Sequence, residues 1–219
     1  MDERRNTMGV TITSAENKDF LACANLFKHV FLEEHKPNFF LRCIRKLRYQ
    51  VVFLAIVIVV YGLSASVTLT LISLCISLYV FFVYLHREVS AYVSKQQDIL
   101  DIGKYYAGDR SNYWVAKSVD GLIVGTVAIL ETDDKEIAEL KRLVVKREFQ
   151  SHGLGIKLVD HALKFCQEAR YKEVKLECSE CLQRALNLYR KLGFSVVPYE
   201  EKGCPVIKYE CRKLINRYN

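Results

Sequence analysis

Apolar and polar positions alternate in short runs along most of the chain, and one long stretch breaks that regime. Period-two or continuous β-branched runs predict strands at residues 8–13, 112–119, 122–130, 137–145, 174–178, 195–198 and 206–211. Apolar residues three or four apart predict helices between them. The first carries Phe20, Leu21, Ala24, Phe27, Val30 and Phe31; a second covers 88–106 with Val89, Tyr92, Val93 and Ile99. A third begins at Gly155 with Ile156, Val159, Leu163 and Cys166 on one face, and a fourth bears Tyr189. Asp120-Gly121 reads as a hairpin turn, and Gly125 inside a strand marks a bulge or a close approach. Strands and helices mixed in this order predict an α/β (α+β) domain with a mixed sheet flanked by helices.

The interruption is residues 49–85, 37 positions without a formal charge. As one helix it would be about 55 Å long, against about 30 Å of bilayer hydrocarbon. Two short helices turning near Gly62 to Ser66 fit better, and too few polar positions exist for either to face water. The run therefore predicts a membrane-anchoring helical hairpin, residues 36–87, inserted into a domain split as 8–35 and 88–211. Both pieces of one domain lie on one side of a membrane, which demands an even number of crossings or a re-entrant loop. Arg42, Arg45, Lys46 and Arg48 before the run, with Arg87 and Lys95 after it, put that side on the cytosol. Residues 1–7 are polar and carry no apolar signal-peptide core.

Composition narrows the classes. A chain of 219 residues, 51% apolar and 26% charged, has room for one domain and an extra segment. The net charge of +7 clusters at residues 42–48, beside the apolar run, where it meets membrane lipid, and at residues 141–147. No zinc-finger spacing or aromatic RNA motif accompanies it, so no nucleic-acid partner is expected. Eight scattered cysteines, with Cys178-Ser-Glu-Cys181 as the one CxxC, lack the further ligands of a metal site, and none is expected. Reduced thiols suit a cytosol-facing domain.

The chemistry concentrates in residues 136–163, a strand, a charged turn, a glycine loop and a helix. Glycine in QSHGLG, residues 150–155, lets a ligand approach the backbone, and the amides of the following helix start attract anionic phosphate. A Walker loop fails because Ile156 and Lys157 follow Gly155; the dinucleotide fingerprint fails because Leu158 holds its third small position. Gln150, Gly153 and Gly155 instead match Gln/Arg-x-x-Gly-x-Gly/Ala. Glu139 stands eleven residues before Gln150, and ALNLYRKLGF, residues 185–194, supplies a tyrosine helix ending at Gly-Phe.

In these three elements the chain resembles the GNAT superfamily of N-acetyltransferases. The apolar insertion and residues 98–128 bring it close to the camello-like branch, which includes cysteine-conjugate and aspartate N-acetyltransferases. The resemblance implies the GNAT fold, acetyl-CoA as donor and residence in the endoplasmic reticulum membrane. It implies that Gln150, Ser151, His152, Gly153, Leu154, Gly155 and Ile156 hold the pyrophosphate, with Leu143, Val144 and Val145 along the pantetheine arm. Glu139 becomes the general base and Tyr189 the general acid. One departure is Leu182, where many relatives carry asparagine.

Each assignment has a plain structural alternative. Glu139 could be a solvated glutamate paired with Lys141, and Tyr189 a core tyrosine; their joint spacing favours chemistry. His152 and His161 fit surface or packing roles better. Arg142, in Glu-x-x-Arg, is a candidate clamp for an acceptor carboxylate, against a surface arginine paired with an acid. The expected reaction is acetylation of a small amino acid or conjugate. A protein lysine or N-terminal acetyltransferase, and a non-catalytic acetyl-CoA-binding membrane protein, are the rivals. The sequence sets no oligomeric state.

Overall fold

The computed structural model describes residues 9–202 and 204–215. Residues 1–7 and Met8, the start of the first predicted strand, lie outside the described residues. In chain order the elements open with β1 (Thr11–Ser14), α1 (Phe20–Val30), α2 (Lys36–Ile44), α3 (Leu47–Ser64) and α4 (Val67–Ser94). Two single-turn helices follow, α5 (Gln97–Leu100) and α6 (Ile102–Tyr105), then β2 (Asn112–Lys117), β3 (Ile123–Glu131) and β4 (Ile137–Val145). The chain closes with α7 (Leu154–Glu168), β5 (Glu173–Ser179), α8 (Gln183–Lys191), β6 (Ser195–Tyr199) and β7 (Lys208–Leu214). These form two compact units, Met1–Phe31 with Gln96–Asn219, and Leu32–Lys95.

The first unit is built on a seven-stranded sheet in the order β1-β2-β3-β4-β5-β7-β6. β4 and β5 run parallel, while their neighbours pair antiparallel, so the sheet is mixed. Alternation along β2 sends Trp114 and Ala116 to one face and Tyr113 and Val115 to the other. On the first face α7 seats Leu158, Val159 and Ala162 against the sheet, with Trp114 edge-on to Phe165 at 5.0 Å. On the second, Cys23 of α1, Ile102 and Tyr106 pack on Tyr113, Val115 and Ala128. Gly125 is a close approach: a Cβ there would lie 3.0 Å from Leu158 Cδ1 and 3.2 Å from the Val144 carbonyl.

Two irregularities open this sheet. Thr126 pairs with Val144 but Ala128 with Lys141, so β4 carries one extra residue, with Arg142 in the left-handed region at φ 56°. The β4–β5 pairing then covers only Ile137–Glu139 against Glu173–Lys175, although both strands continue. Beyond Glu139 the two strands are no longer partners, and β5 stays bonded to β7 through Ser179.

The second unit is helical throughout. α3 ends at Ala65 in the left-handed region, φ 50°, and the Ser66 side chain accepts from Leu69 N to start α4. The rings of Tyr49 and Phe53 on α3 meet Phe81 of α4 at 4.8 and 5.5 Å, and Phe40 of α2 meets Phe82 at 5.5 Å. α3 is apolar from Val51 to Leu63 yet has no buried residue.

Several boundaries differ from the periodicity. The helix expected over 88–106 is in fact the end of α4, followed by α5 and α6. Nothing after Leu85 breaks the helix until Lys95, and Asp101 starts afresh by accepting from Lys104 N. The last strand runs over Lys208–Leu214, later than the expected 206–211, because its partners are Glu173–Ser179. A helical turn at Phe31–His35 and then α2 follow the first helix, and the basic cluster at residues 42–48 falls across the end of α2 and the start of α3.

Candidate active site

Glu139 and Lys175 stand opposite each other at the last rung before the sheet opens. Both line a recess of about 270 Å³, together with Leu176, Glu177 and Glu210. The strand period explains the grouping: Ala138, Leu140, Val174 and Leu176 enter the core under α7, so Glu139, Lys175 and Glu177 point to the other face. Glu139 pairs with Lys141 at 3.2 Å and stays about a quarter exposed, so the plain alternative is realised without sealing its carboxylate. Glu210 pairs with Arg212 at 2.8 Å. Burial and the Glu177 carboxylate push the Tyr199 phenol up to about 12. Lys175 forms no ion pair among the described residues.

The other end of β4 leads into the glycine loop. Ser151 and Gly153 both take positive φ, 64° and 80°, and Gly153 caps α7 without a side chain. The two left-handed residues flank His152, and the first amides of α7, from Leu154 to Ile156, precede any intrahelical acceptor. Gln150 braces this loop: its Nε2 donates to the Val145 carbonyl at 2.9 Å, and its Oε1 accepts from Arg184 Nη1 at 2.9 Å. A Cβ on Gly153 would meet nothing within 4 Å, whereas one on Gly155 would touch Leu188 at 3.7 Å and Val145 at 3.9 Å. Ser151 and His152 are exposed beside it. Amides, a helix N-terminus and open space over Gly153 fit a pyrophosphate. Leu143, Val144 and Val145 lie between bulge and loop, on the part of β4 that β5 leaves unpaired.

Tyr189 is buried on α8, edge-on to Phe194 at 5.6 Å. Burial, with Cys178 and Cys211 nearby, raises its phenol well above the ordinary value, so the proton is retained at neutral pH. Leu182 precedes α8 and its backbone amide donates to the Ser179 carbonyl at 2.9 Å.

Arg142 departs from the expected clamp. Its Nε donates to Asp98 Oδ2 at 2.7 Å, Nη2 bonds Asp98 Oδ1, and Nη2 also donates to Gln96 Oε1 at 2.7 Å. The side chains of Arg142 and Asp98 are 7% and 9% exposed. A fork already filled by an internal carboxylate does not present itself to an acceptor. The alternative of an arginine paired with an acid is what the structure contains, in a buried form. Burial pushes Asp98 up, but hydrogen bonds from Arg142 and Tyr106 outweigh it and hold the carboxyl below its ordinary value. Sequence reasoning missed Asp98, Lys175, Glu177, Glu210 and Arg184, which belong to no motif; only β5 alternation could have grouped two of them.

The acetyltransferase (GNAT) family model matches residues 80–194. The probable N-acetyltransferase camello of Xenopus tropicalis is 30% identical over 190 residues, 84% of this chain and 85% of that protein. An N-acetylaspartate synthetase of Danio rerio is 26% identical over 195 residues, 88% of this chain and 68% of that protein. A solved GNAT-family acetyltransferase from Staphylococcus aureus Mu50 superposes with a TM-score of 0.63 at 14% identity, covering 94% of this chain and 99% of that one. The last shows a shared fold; the family match and the frog relative show kinship, and the chain belongs to the GNAT family of N-acetyltransferases.

Proposed function

We propose that the chain is a membrane-anchored, acetyl-CoA-dependent N-acetyltransferase whose acceptor is a small amino acid or amino-acid conjugate. The observation that carries this is the fork in the sheet. A carboxylate, Glu139, stands at its apex, and the glycine loop with the free amides of the α7 start follows the far end of the same strand. Acetyl-CoA supplies an acetyl group already activated as a thioester. The amides of residues 151–156, with Gln150 bracing them, hold its pyrophosphate. Main-chain groups of Leu143, Val144 and Val145 hold the pantetheine arm and offer a donor to the oxyanion. The acceptor nitrogen attacks the thioester carbon, a C–N bond forms and the C–S bond breaks. Glu139 takes the proton the amine sheds, through water, and the Tyr189 phenol protonates the departing thiolate.

Arg142 leaves this reading as the acceptor clamp, because its fork is engaged by Asp98. Lys175 takes its place: it lines the same recess as Glu139, while Glu139 and Glu210 carry their own cations. One relative's name, N-acetylaspartate synthetase, supports an acceptor bearing a carboxylate.

Membrane anchoring is supported by α3 and α4, 18 and 28 residues long. At 1.5 Å per residue they measure about 27 and 42 Å against about 30 Å of hydrocarbon. Leu54, Ile58, Leu69, Ile72, Ile76 and Val80 face outward, as lipid-facing residues do. Both cut ends of the split domain belong to one compact unit, which requires an even number of crossings. With the basic flanks, this supports a catalytic domain on the cytosolic side of the membrane, the endoplasmic reticulum in the camello-like reading.

The test is acetyl-CoA binding by the detergent-solubilised full chain, followed by turnover against free amino acids, cysteine conjugates and lysine peptides. Coenzyme binding with turnover of a free-acid acceptor is the expected result. Binding without turnover of any amine points to the non-catalytic rival, and preference for peptide lysines points to a protein acetyltransferase.

A further inference from the structure

The apolar segment is inserted between Phe31 and Gln96 of the first unit, so that domain has two cut ends to hold together. One side chain touches what lies at both. Arg142 stacks its guanidinium over Phe27 at 4.8 Å, and Phe27 in turn stacks on Phe31, the last residue before the insertion, at 5.5 Å. The same guanidinium bonds Gln96, the first residue after it, and Asp98 two positions on. Tyr106 completes the arrangement by donating to Asp98 Oδ2 at 2.6 Å.

Arg142 is also the left-handed residue of the β4 bulge, immediately before Leu143, Val144 and Val145. A positive φ on a non-glycine residue costs about 1–2 kcal/mol and persists only where surroundings enforce it. Here the Thr126 hydroxyl holds the Arg142 carbonyl at 2.8 Å from one side, and the buried ion pair holds the side chain from the other.

We infer that Arg142, Asp98 and Gln96 form a clasp that shapes the coenzyme strand and fastens the split domain where the apolar segment leaves and returns. The inference rests on the reading of β4 as the strand that binds acetyl-CoA. Arg142 and Asp98 are positioning residues here: they act through the backbone of residues 143–145 and touch no reacting atom. Only a planar fork satisfies Asp98 and Gln96 while stacked on a ring, so lysine cannot replace it.

The test compares wild type with Asp98→Asn, Arg142→Lys and Tyr106→Phe in the full chain. It measures amide hydrogen exchange along β4, acetyl-CoA affinity, and KM for the acceptor. Because breaking a buried ion pair can unfold a domain, Tyr106→Phe provides a variant that loosens Asp98 and leaves the pair intact. Faster exchange at Leu143–Val145 in all three is expected. Small misplacement of catalytic groups is worth on the order of 10²-fold in rate, so acetyl-CoA affinity and kcat should fall together, most in Asp98→Asn, while acceptor KM stays within about twofold. A raised acceptor KM with unchanged exchange at residues 143–145 would overturn the clasp and restore Arg142 as a substrate ligand. Loss of stability with wild-type exchange in that segment and wild-type constants in the folded fraction would also overturn it. Wild-type protein that binds no acetyl-CoA would refute the proposed function instead, and the exchange pattern would still decide the clasp.

Discussion

Glu139 and Lys175 are the last partners in the parallel pairing of β4 with β5, and the recess begins at that rung. In the proposed reaction a carboxylate there meets the acceptor nitrogen at the mouth of the opening. Glu139→Gln removes the charge and keeps the shape, so folding should survive. Proton transfer by a positioned group is worth about 10²–10⁴ in rate, and turnover should drop by that order. Part of the loss should return at high pH, where the free amine, of pKa about 8, is already neutral. A pH–rate profile parallel to wild type would show that Glu139 serves only Lys141.

Tyr189→Phe tests the acid. The ring stays to pack on Phe194, so stability should change by no more than about 1 kcal/mol, the scale of one hydroxyl hydrogen bond. If the phenol protonates the thiolate, kcat should fall about 10²–10⁴-fold with acetyl-CoA affinity little changed. Wild-type turnover would leave Tyr189 as a core residue and require another proton donor for the sulfur.

In the glycine loop the two glycines should behave differently. Gly153 sits at φ 80° with open space above it, so Gly153→Val strains the backbone and fills the proposed phosphate position. Where the unliganded loop relaxes to escape the left-handed penalty of about 1–2 kcal/mol, binding must restore it, which alone approaches a tenfold loss of affinity. Gly155 is in the helix, and a methyl there makes ordinary contacts with Leu188 and Val145. Gly155→Ala should therefore bind acetyl-CoA within a few-fold of wild type. Titration calorimetry on both variants decides it: equal affinities would remove the loop from the coenzyme site.

What the sequence made legible was what is local. Alternation located the strands, and the loop's residues turn where glycine and Ser151 allow it. The separations among Glu139, Gln150 and Tyr189 carried the chemistry because one strand–loop–helix unit orders the first two. The partner of Arg142 was hidden: Asp98 lies 44 residues earlier, and no periodicity links them. The opening between β4 and β5 was hidden too, since it depends on a bulge whose left-handed residue is arginine, with no glycine to mark it. The turn between α3 and α4 falls at Ala65 and Ser66, within the expected 62–66, although its left-handed residue is Ala65 and Gly62 is an ordinary helical residue. Lys175 and Glu210 meet only because β5 and β7 pair across a connection that no motif announces.

The membrane reading predicts that both termini face the cytosol. Tags at either end of the chain in sealed microsomes should both be digested by added protease. A protected C-terminal tag beside a digested N-terminal one would mean a single crossing. It would also contradict a catalytic domain assembled from both sides of the insertion, since Thr11–Ser14 is bonded in the sheet to Asn112–Lys117.

The acceptor is decided at Lys175. Among the charged residues lining the recess, Glu139 has Lys141, Glu210 has Arg212 and Glu177 has the Tyr199 phenol, while Lys175 acts on Glu210 only at longer range and forms no ion pair among the described residues. Its ammonium stands across the pairing from Glu139, so an acceptor that offers its amine to the glutamate can offer a carboxylate to the lysine. An ammonium is a strongly hydrated point charge, and a half-exposed pair of this kind is worth about 1 kcal/mol or somewhat more, several-fold in binding. Lys175→Met keeps most of the stem's packing and removes the charge. Acceptor KM should rise about five- to tenfold with KM for acetyl-CoA unchanged, since the proposed coenzyme site lies along residues 143–156. An amidated acceptor should be poor with wild type and no worse with Lys175→Met, because the lost partner is the same charge. Equal use of free-acid and amidated acceptors by wild type would remove the carboxylate from recognition and move the reading toward peptide or protein amines.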